Sequence, residues 1–595
     1  MISHIKIKNY RSCKNVEFDL TEVLPIVGMN NVGKSNILKA IEWFISPTSL
    51  KIGDFFDVAK SVAVEGTFTD VLSQLPTGID RNKTSILPFI IDDRLRIRRV
   101  QATVGQSVKD ITCEVLDSDG TWKPTPTGLP AALKALIMPN VIKIDAMEDC
   151  AEDVTKNKSA SSLGQLMKFL QDDIADAVKG DKKLRWAFEI YNQKFNESSQ
   201  NKLNVFDEID TELNKHVSHF WQNPQLKMST PLLTLDDIVK NATLKIGENL
   251  SNFTSLGHGA QRSIQMGFLK YLAEKKKRGS NIKNLLLIDE PELYLHPHAI
   301  ELVRDALEDL SDKGFQVIFT THSPAMITPE KVVETLRVKM LDKETLTSQT
   351  LSEAVKTIVG NSITQTEILF SFYGNSQVLF SEKLLLVEGH SEEALIPHLF
   401  RLETGKSLQQ LNIGLINMTS CNNLKKMGDI LEACNIEYCA LVDLDCIKSV
   451  NDPLIDTDIA TCKVEIAKVN NVSLNGDWPK DGFITASQAF SELAKRTEAK
   501  APIKNICTFM KSKNIWLWNC GDFEDLIGKK LSGGKKAKAE QANIITEIKS
   551  QGISSAIENY DELKRSFMWI APLEIRGFPL TSTTTASSIS ISTLN

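Results

Sequence analysis

The run Gly28-Met29-Asn30-Asn31-Val32-Gly33-Lys34-Ser35 fits GxxxxGK[ST], with an apolar strand before it and a helical repeat after it. Glycines at these spacings let backbone N–H groups curl around phosphates, and the following helix N-terminus adds partial positive charge. Gly28, Asn31 and Gly33 would shape the cradle, Lys34 would reach the β- and γ-phosphates, and Ser35 would ligate Mg²⁺. A second run, Leu285-Leu286-Leu287-Ile288-Asp289-Glu290, has the continuous apolar character of a buried parallel strand and ends in two carboxylates. Asp289 would hold Mg²⁺ through water, and Glu290 would orient or deprotonate the attacking water. Flanking it are Ser255-Leu256-Gly257-His258-Gly259-Ala260-Gln261-Arg262 upstream and Phe319-Thr320-Thr321-His322-Ser323-Pro324 downstream.

A separate set of acids lies nearer the C-terminus. Leu384-Leu385-Leu386-Val387-Glu388-Gly389 reads as a strand ending in a tight turn, and Glu392, four residues beyond Glu388, can point back from the first helical turn. Two carboxylates held together repel unless a cation is present, which points to divalent-metal binding. Ile436–Val442 leads into Asp443-Leu444-Asp445, whose aspartates share a side of an extended chain, and Asp522-Phe523-Glu524 follows another apolar segment. Each pair alone also reads as a helix cap or a solvated turn. Three pairs at successive strand ends favour one assembled site, because open sheets build sites at the carboxyl ends of their strands.

The first set of motifs, with Pro291-Glu292-Leu293-Tyr294-Leu295-His296-Pro297 after the acidic pair, resembles the ABC ATPase head of RecF, SMC-type and OLD-family proteins over about residues 1–329. The resemblance implies that Ser255, Gly257, Gly259 and Gln261 belong to a signature that contacts ATP on an opposing head, and that His322 is the switch histidine near the γ-phosphate. The usual Q-loop glutamine has no counterpart: the segment after the phosphate-loop helix offers Asp54 and no nearby Gln. The VEG…DLD pattern resembles the TOPRIM fold, and the fusion of both halves is similar to OLD-family endonucleases, a group that includes the Gabija nuclease subunit. That resemblance implies two-metal phosphodiester hydrolysis of DNA, with Glu388, Glu392, Asp443, Asp445, Asp522 and Glu524 as metal ligands. Mg²⁺ or Mn²⁺ is implied at both the ATPase and the nuclease site. It also implies a downstream lysine that stabilises transition-state charge; of Lys529, Lys530, Lys535, Lys536 and Lys538, Lys538 is the choice. Where the family has a glycine-rich stretch, this chain has Asn417-Met418-Thr419-Ser420-Cys421-Asn422-Asn423. An antiviral role, beside a helicase-like or reverse-transcriptase partner, is a further implication.

These residues need an α/β scaffold: an ABC-type head interrupted by a helical dimerisation insertion, then a C-terminal TOPRIM α/β domain. The expected division is 1–159 and 241–335 for the head, 160–240 for the insertion, 336–382 for a connector, 383–576 for TOPRIM and 577–595 for a flexible tail. With 595 residues the chain exceeds one hydrophobic core, and 42% hydrophobic with 24% charged residues is ordinary globular composition. The net charge of −6 excludes a broadly basic coat for nucleic acid, so DNA must meet local basic patches. Ten scattered cysteines without a CxxC pair exclude a disulfide framework and a structural zinc, and fit reduced thiols in the cytoplasm. No run reaches the length of a membrane helix, and the start lacks a signal-peptide core, so a soluble protein is expected.

One phosphate loop cannot complete a composite ATP site, so at least a homodimer is expected. About 60 helical residues at 1.5 Å each span only about 90 Å, which disfavours an SMC-like chromosome tether. A transporter subunit would lack the second acidic block, and a topoisomerase would need an attacking tyrosine in a further module. The remaining rival is a regulatory ATPase whose TOPRIM block binds nucleic acid or a partner without cutting.

Overall fold

The computed structural model describes residues 1–75, 81–126, 128–145, 284–360, 375–470, 486–531 and 535–571, with shorter pieces at 78, 178–179, 182–195, between 208 and 267, and at 478. Most of the expected insertion and all of the expected tail lie outside the described residues. Within the insertion the chain forms an α-helix at Leu184–Phe195. The chain divides into two compact units, one of residues 1–326 with 338–347 and the other of 327–337 with 348–595.

The first unit contains two six-stranded sheets. In the antiparallel one, Ile2–Tyr10 pairs with Cys13–Asp19 on one side and Val62–Phe68 on the other, and Leu95–Gln101, Thr112–Leu116 and Trp122–Pro124 continue it. Arginines alternate with apolar residues along the fourth of these strands: Leu95 and Ile97 face the core, while Arg96 and Arg98 project to the other face near Glu65, where Arg98 also stacks 4.5 Å over Trp122.

The second sheet runs Glu344–Thr347, Leu336–Leu341, Val23–Val27, Phe315–Thr321, Asn284–Asp289, Asn140–Ile144, the last four mutually parallel. Leu285 to Ile288 are wholly buried, as a strand flanked on both edges and covered on both faces requires. The parallel order brings the ends of the Val27, Asp289 and Thr321 strands to one edge, where a ligand can meet all three. Leu336–Leu341 and Glu344–Thr347, inside the segment expected as a connector, are strands of this sheet.

Between the sheets lies the helix Lys34–Ile45, which buries Ile37, Leu38, Ala40, Ile41 and Phe44. Its approach to the antiparallel sheet depends on Gly66, where a Cβ would stand 2.6 Å from the Phe44 ring. Gly66→Ala should therefore cost about 1–3 kcal/mol by overpacking, read as a lower denaturation midpoint. Gly53→Ala, where nothing lies within 4 Å of the added Cβ, should leave the midpoint unchanged.

In the second unit Ile413–Asn417, Lys383–Val387, Glu437–Val442 and Ile515–Leu517 form a four-stranded parallel sheet in that order. Leu385, Val387, Leu395, Leu399, Phe400, Leu441, Trp518, Phe523 and Phe567 join in one core between this sheet and the helices that cover it. Phe400 meets Phe567 edge to face at 5.3 Å. With all strands parallel, the acids that follow Val387 and Val442 emerge on one edge.

Candidate nucleotide and metal sites

At the first edge, Gly33 has φ 100°, and a Cβ there would meet Thr345 Oγ1 at 2.0 Å and Ser12 Oγ at 2.7 Å, so only glycine fits. Thr345 Oγ1 lies 3.0 Å from the Val32 carbonyl and 2.7 Å from Ser12 Oγ, and Asn36 Nδ2 donates to that same serine at 2.7 Å. The strand pair Leu336–Thr347 thus braces the phosphate loop from outside. Sequence periodicity gave no sign of this brace, because its strands lie three hundred residues from the loop they hold. A cleft of about 400 Å³ opens beside Asn31, Gly33, Lys34, Ser35, Glu290 and His322, which are six of the expected site residues.

Lys34 Nζ donates to the carbonyls of Gly28 at 3.1 Å and Met29 at 3.0 Å and lies 2.7 Å from His322 Nε2. Burial pushes its ammonium down to about 8, against the opposing pull of Glu290, Asp289 and Glu292. A desolvated cation within reach of neighbouring acids is prepared for an anionic ligand. His322 Nε2 is also 3.0 Å from Glu290 Oε1, so the two expected catalytic groups meet. Thr320 Oγ1 donates to Asp289 Oδ1.

Two residues outside the expected set hold this edge. Arg262, only 2% exposed, donates through Nη2 to the carbonyls of Asp289 at 3.1 Å and Glu290 at 3.0 Å. It thereby fixes Glu290 in a left-handed conformation, φ 48°, that a glutamate would otherwise avoid. Glu292 Oε1 accepts from Thr321 Oγ1 at 2.6 Å and from the backbone N–H groups of His322 at 2.9 Å and Ser323 at 3.2 Å, which orients the turn carrying His322. The signal for both was their adjacency to motif residues. Of the signature residues, Gly259 is described, and a Cβ on it would lie 2.7 Å from the Tyr294 carbonyl; Ser255, Gly257 and Gln261 fall outside the described residues.

At the edge of the second sheet the expected acids converge. Glu388 accepts from the backbone N–H of Asp443 and of Cys421, each at 3.4 Å, and Asp443 Oδ1 accepts from the Phe523 N–H at 3.0 Å. Asp522 caps the helix Phe523–Ile527, with Oδ1 accepting from the Asp525 N–H at 2.8 Å. Glu388 takes two backbone hydrogen bonds and Asp443 one from the Phe523 N–H, against about four acceptor positions on an ionised carboxylate.

Electrostatics say the same. Burial, then the charges of Glu388, Glu524 and Asp522, push the Glu392 carboxyl up to about 7. Burial followed by Glu392, Glu388, Asp522 and Asp445 raises Asp443 well above the carboxylate range. Glu388 is raised by burial and Asp445, and Glu524 by burial, Asp522 and Asp525. Acids that are partly desolvated and raise one another fit a divalent cation, whose charge would replace repulsion with attraction.

A pH dependence follows. Because the folded Glu392 holds its proton to about 7 while an unfolded glutamate releases it near about 4.3, this group's stabilising contribution is present below the lower value. It is lost as pH rises through the upper one. Without nucleotide, Mg²⁺ or Mn²⁺ should therefore raise Tm clearly at about pH 8 and much less at about pH 5.5, since protonated carboxyls bind cations weakly. Differential scanning fluorimetry across that window is the measurement; equal shifts at both ends would contradict the assignment.

The lysine cluster is distributed differently from the acids. Lys530 is the cation whose charge lowers Glu524, Lys529 pairs with Glu547, and Lys538 is exposed on the helix Lys535–Gln551. Lys448, absent from the expected set, donates to Asp445 Oδ2 at 3.1 Å and stacks 4.7 Å from the Phe490 ring centre. Its position three residues after Asp445 was the available clue. The glycine-poor stretch folds over Glu388 by side-chain hydrogen bonds instead: Asn417 Oδ1 accepts from the Thr419 N–H at 2.8 Å, and Asn423 Nδ2 donates to the Met418 carbonyl at 3.0 Å. Thr419 takes φ 65° where a glycine would be at ease.

Comparison with known proteins agrees with this division. The AAA ATPase domain family model matches residues 1–162 and 141–327, and that for the overcoming lysogenization defect protein-like TOPRIM domain matches 379–445. The Old nuclease of Escherichia phage P2 is 31% identical over 594 residues, which is 96% of this chain and 99% of the relative. The chain belongs to the OLD nuclease family. More distant OLD-family relatives include the OLD nuclease of Thermus scotoductus, 24% identical over 67% of this chain and 74% of its own length. Endonuclease GajA of Bacillus cereus is 23% identical over 66% of each chain. The OLD-family architecture, an ABC-type ATPase head followed by a C-terminal TOPRIM unit with a parallel sheet, is what the sequence motifs implied. Among the described residues no helix is long and apolar enough to cross a membrane.

Proposed function

We propose that this OLD-family chain is a nucleotide-regulated, divalent-metal-dependent DNA endonuclease. The observation that carries the reading is the convergence of Glu388, Glu392, Asp443, Asp445, Asp522 and Glu524 on one sheet edge, with Glu388, Glu392, Asp443 and Glu524 raised by burial and by one another. Those carboxylates would hold two ions, Mg²⁺ or Mn²⁺. Ions bound there would supply an acidified water and charge neutralisation at the scissile phosphate. Glu388 and Asp443 are locked together through the backbone N–H of Asp443, so each ligand keeps its place when the other binds. Among the described residues, Lys530 and Lys538 would offer charge to the phosphate backbone, with Lys538 the expected transition-state group.

In the head, Gly28, Asn31, Gly33 and Lys34 would receive the phosphates of ATP, Ser35 and Asp289 would hold its Mg²⁺, Glu290 would orient or deprotonate the attacking water, and His322 would stand near the γ-phosphate. Ser255, Gly257, Gly259 and Gln261 would close the site of a second copy, which makes the working form a homodimer or a higher homo-oligomer. The expected setting is the cytoplasm, in antiviral defence, beside a helicase-like or reverse-transcriptase partner.

Incubating supercoiled plasmid with the protein, with and without ATP and each metal, tests the reading. Nicked or linear product only with Mg²⁺ or Mn²⁺, at a rate altered by ATP, is expected. DNA binding without any product under all conditions would leave the regulatory ATPase as the better account.

A further inference from the structure

One donor in the acidic cluster is chemically unlike the rest. The Cys421 thiol and the carboxylates of Glu388 and Asp445 offer ligand atoms that all lie within 4.8 Å of one another. Cys421 is held there: it begins a short 3-10 turn whose N-cap, Ser420, accepts from the Asn422 N–H at 3.3 Å, and its own N–H donates to Glu388 Oε1. The loop that carries it is tied to the end of its strand by Asn417 and Asn423. The sulfur thus shares a fixed frame with a carboxylate already assigned to the metal.

We propose that Cys421 is a metal-selecting ligand of the TOPRIM site, completing with Glu388 and Asp445 a mixed sulfur and oxygen set that favours thiophilic divalent cations such as Co²⁺ and Zn²⁺ over Mg²⁺. This rests on the reading of the acidic cluster as a cation site. Carboxylate oxygens suit Mg²⁺ and thiolates suit softer cations, so one sulfur among oxygens changes which ion the site prefers. On coordination the thiol gives its proton to solvent and the sulfur lone pair to the cation. The Mg²⁺ complex would use the oxygens and leave the sulfur aside.

The test is a Co²⁺ titration of the full chain without nucleotide, followed in the near-ultraviolet for sulfur-to-cobalt charge transfer and in the visible for ligand-field bands. The native chain should show both. Cys421→Ser should lose the charge-transfer band, keep ligand-field bands, and bind Co²⁺ and Zn²⁺ about 10-fold or more weakly, with Mg²⁺ affinity unchanged. Cys421→Asp should shift the preference toward Mg²⁺, which an unfolded variant could not do. Co²⁺ binding without charge transfer in the native chain, or a charge-transfer band that survives in Cys421→Ser, overturns the inference while leaving the acidic site standing. No Co²⁺ binding sensitive to Glu388→Gln overturns both.

Discussion

Asp443→Asn is expected to reduce metal-dependent DNA cleavage by roughly a thousandfold or more while ATP hydrolysis continues at its native rate. The substitution keeps the shape of the side chain and an oxygen able to accept from the Phe523 N–H, which Asp443 Oδ1 does at 3.0 Å. What it removes is the negative charge. Burial and then Glu392, Glu388, Asp522 and Asp445 raise the Asp443 carboxyl in the folded chain, so its ionised form strains the metal-free protein at neutral pH. The variant should therefore lose cleavage and at the same time gain thermal stability in the absence of metal. A residue with a merely structural role would show the opposite stability change. Plasmid nicking assays and melting curves on the same preparation check both halves. Cleavage retained near the native rate would remove Asp443 from the catalytic set.

That contrast between charge and shape also explains how much of the site was legible beforehand. Phosphate-loop glycines, apolar strands ending in acids and the helix-phase return of Glu392 toward Glu388 are local patterns, set by neighbours a few residues apart, and they located both edges. The brace on the phosphate loop was not legible. Thr345 reaches Val32 and Ser12 through a sheet pairing, and no period in the sequence states which distant strand lies beside Val23–Val27. Arg262 ends the signature run in the sequence, but nothing local states that its guanidinium lies buried against the carbonyls of Asp289 and Glu290. Cys421 lies in a stretch whose sequence is marked only by its lack of glycine. Its position beside Glu388 depends on Thr419 taking a left-handed turn that composition alone disfavours. The lysines illustrate the limit most plainly, since a run of like residues on one helix is ranked only by where each ammonium ends up. Lys530 acts on Glu524, and Lys529 is engaged by Glu547.

The nucleotide half yields the second large effect, and it requires two variants because the head has separable duties. Lys34 Nζ sits among the Gly28 and Met29 carbonyls and 2.7 Å from His322 Nε2, a partly buried cation whose ammonium is pushed down to about 8. Phosphates entering the cradle would return it to its fully charged form, and that gain is part of the binding energy. Lys34→Ala should therefore weaken ATP affinity by about 10- to 150-fold, the worth of a hydrogen bond to a charged group. Glu290→Gln keeps the side-chain volume and the backbone carbonyl that Arg262 Nη2 contacts at 3.0 Å. It should bind ATP normally and hydrolyse it about 10²- to 10⁴-fold more slowly. Equilibrium binding of a fluorescent ATP analogue and phosphate release separate the two, and unchanged affinity in Lys34→Ala would refute its phosphate role. Cleavage by the pair then reads the coupling between head and nuclease. If Glu290→Gln with ATP behaves as the native protein with ATP, nucleotide occupancy sets the nuclease rate; if it behaves as Lys34→Ala, turnover does. Either result requires the acidic edge to be intact in both variants, which Mn²⁺-induced stabilisation at about pH 8 would verify.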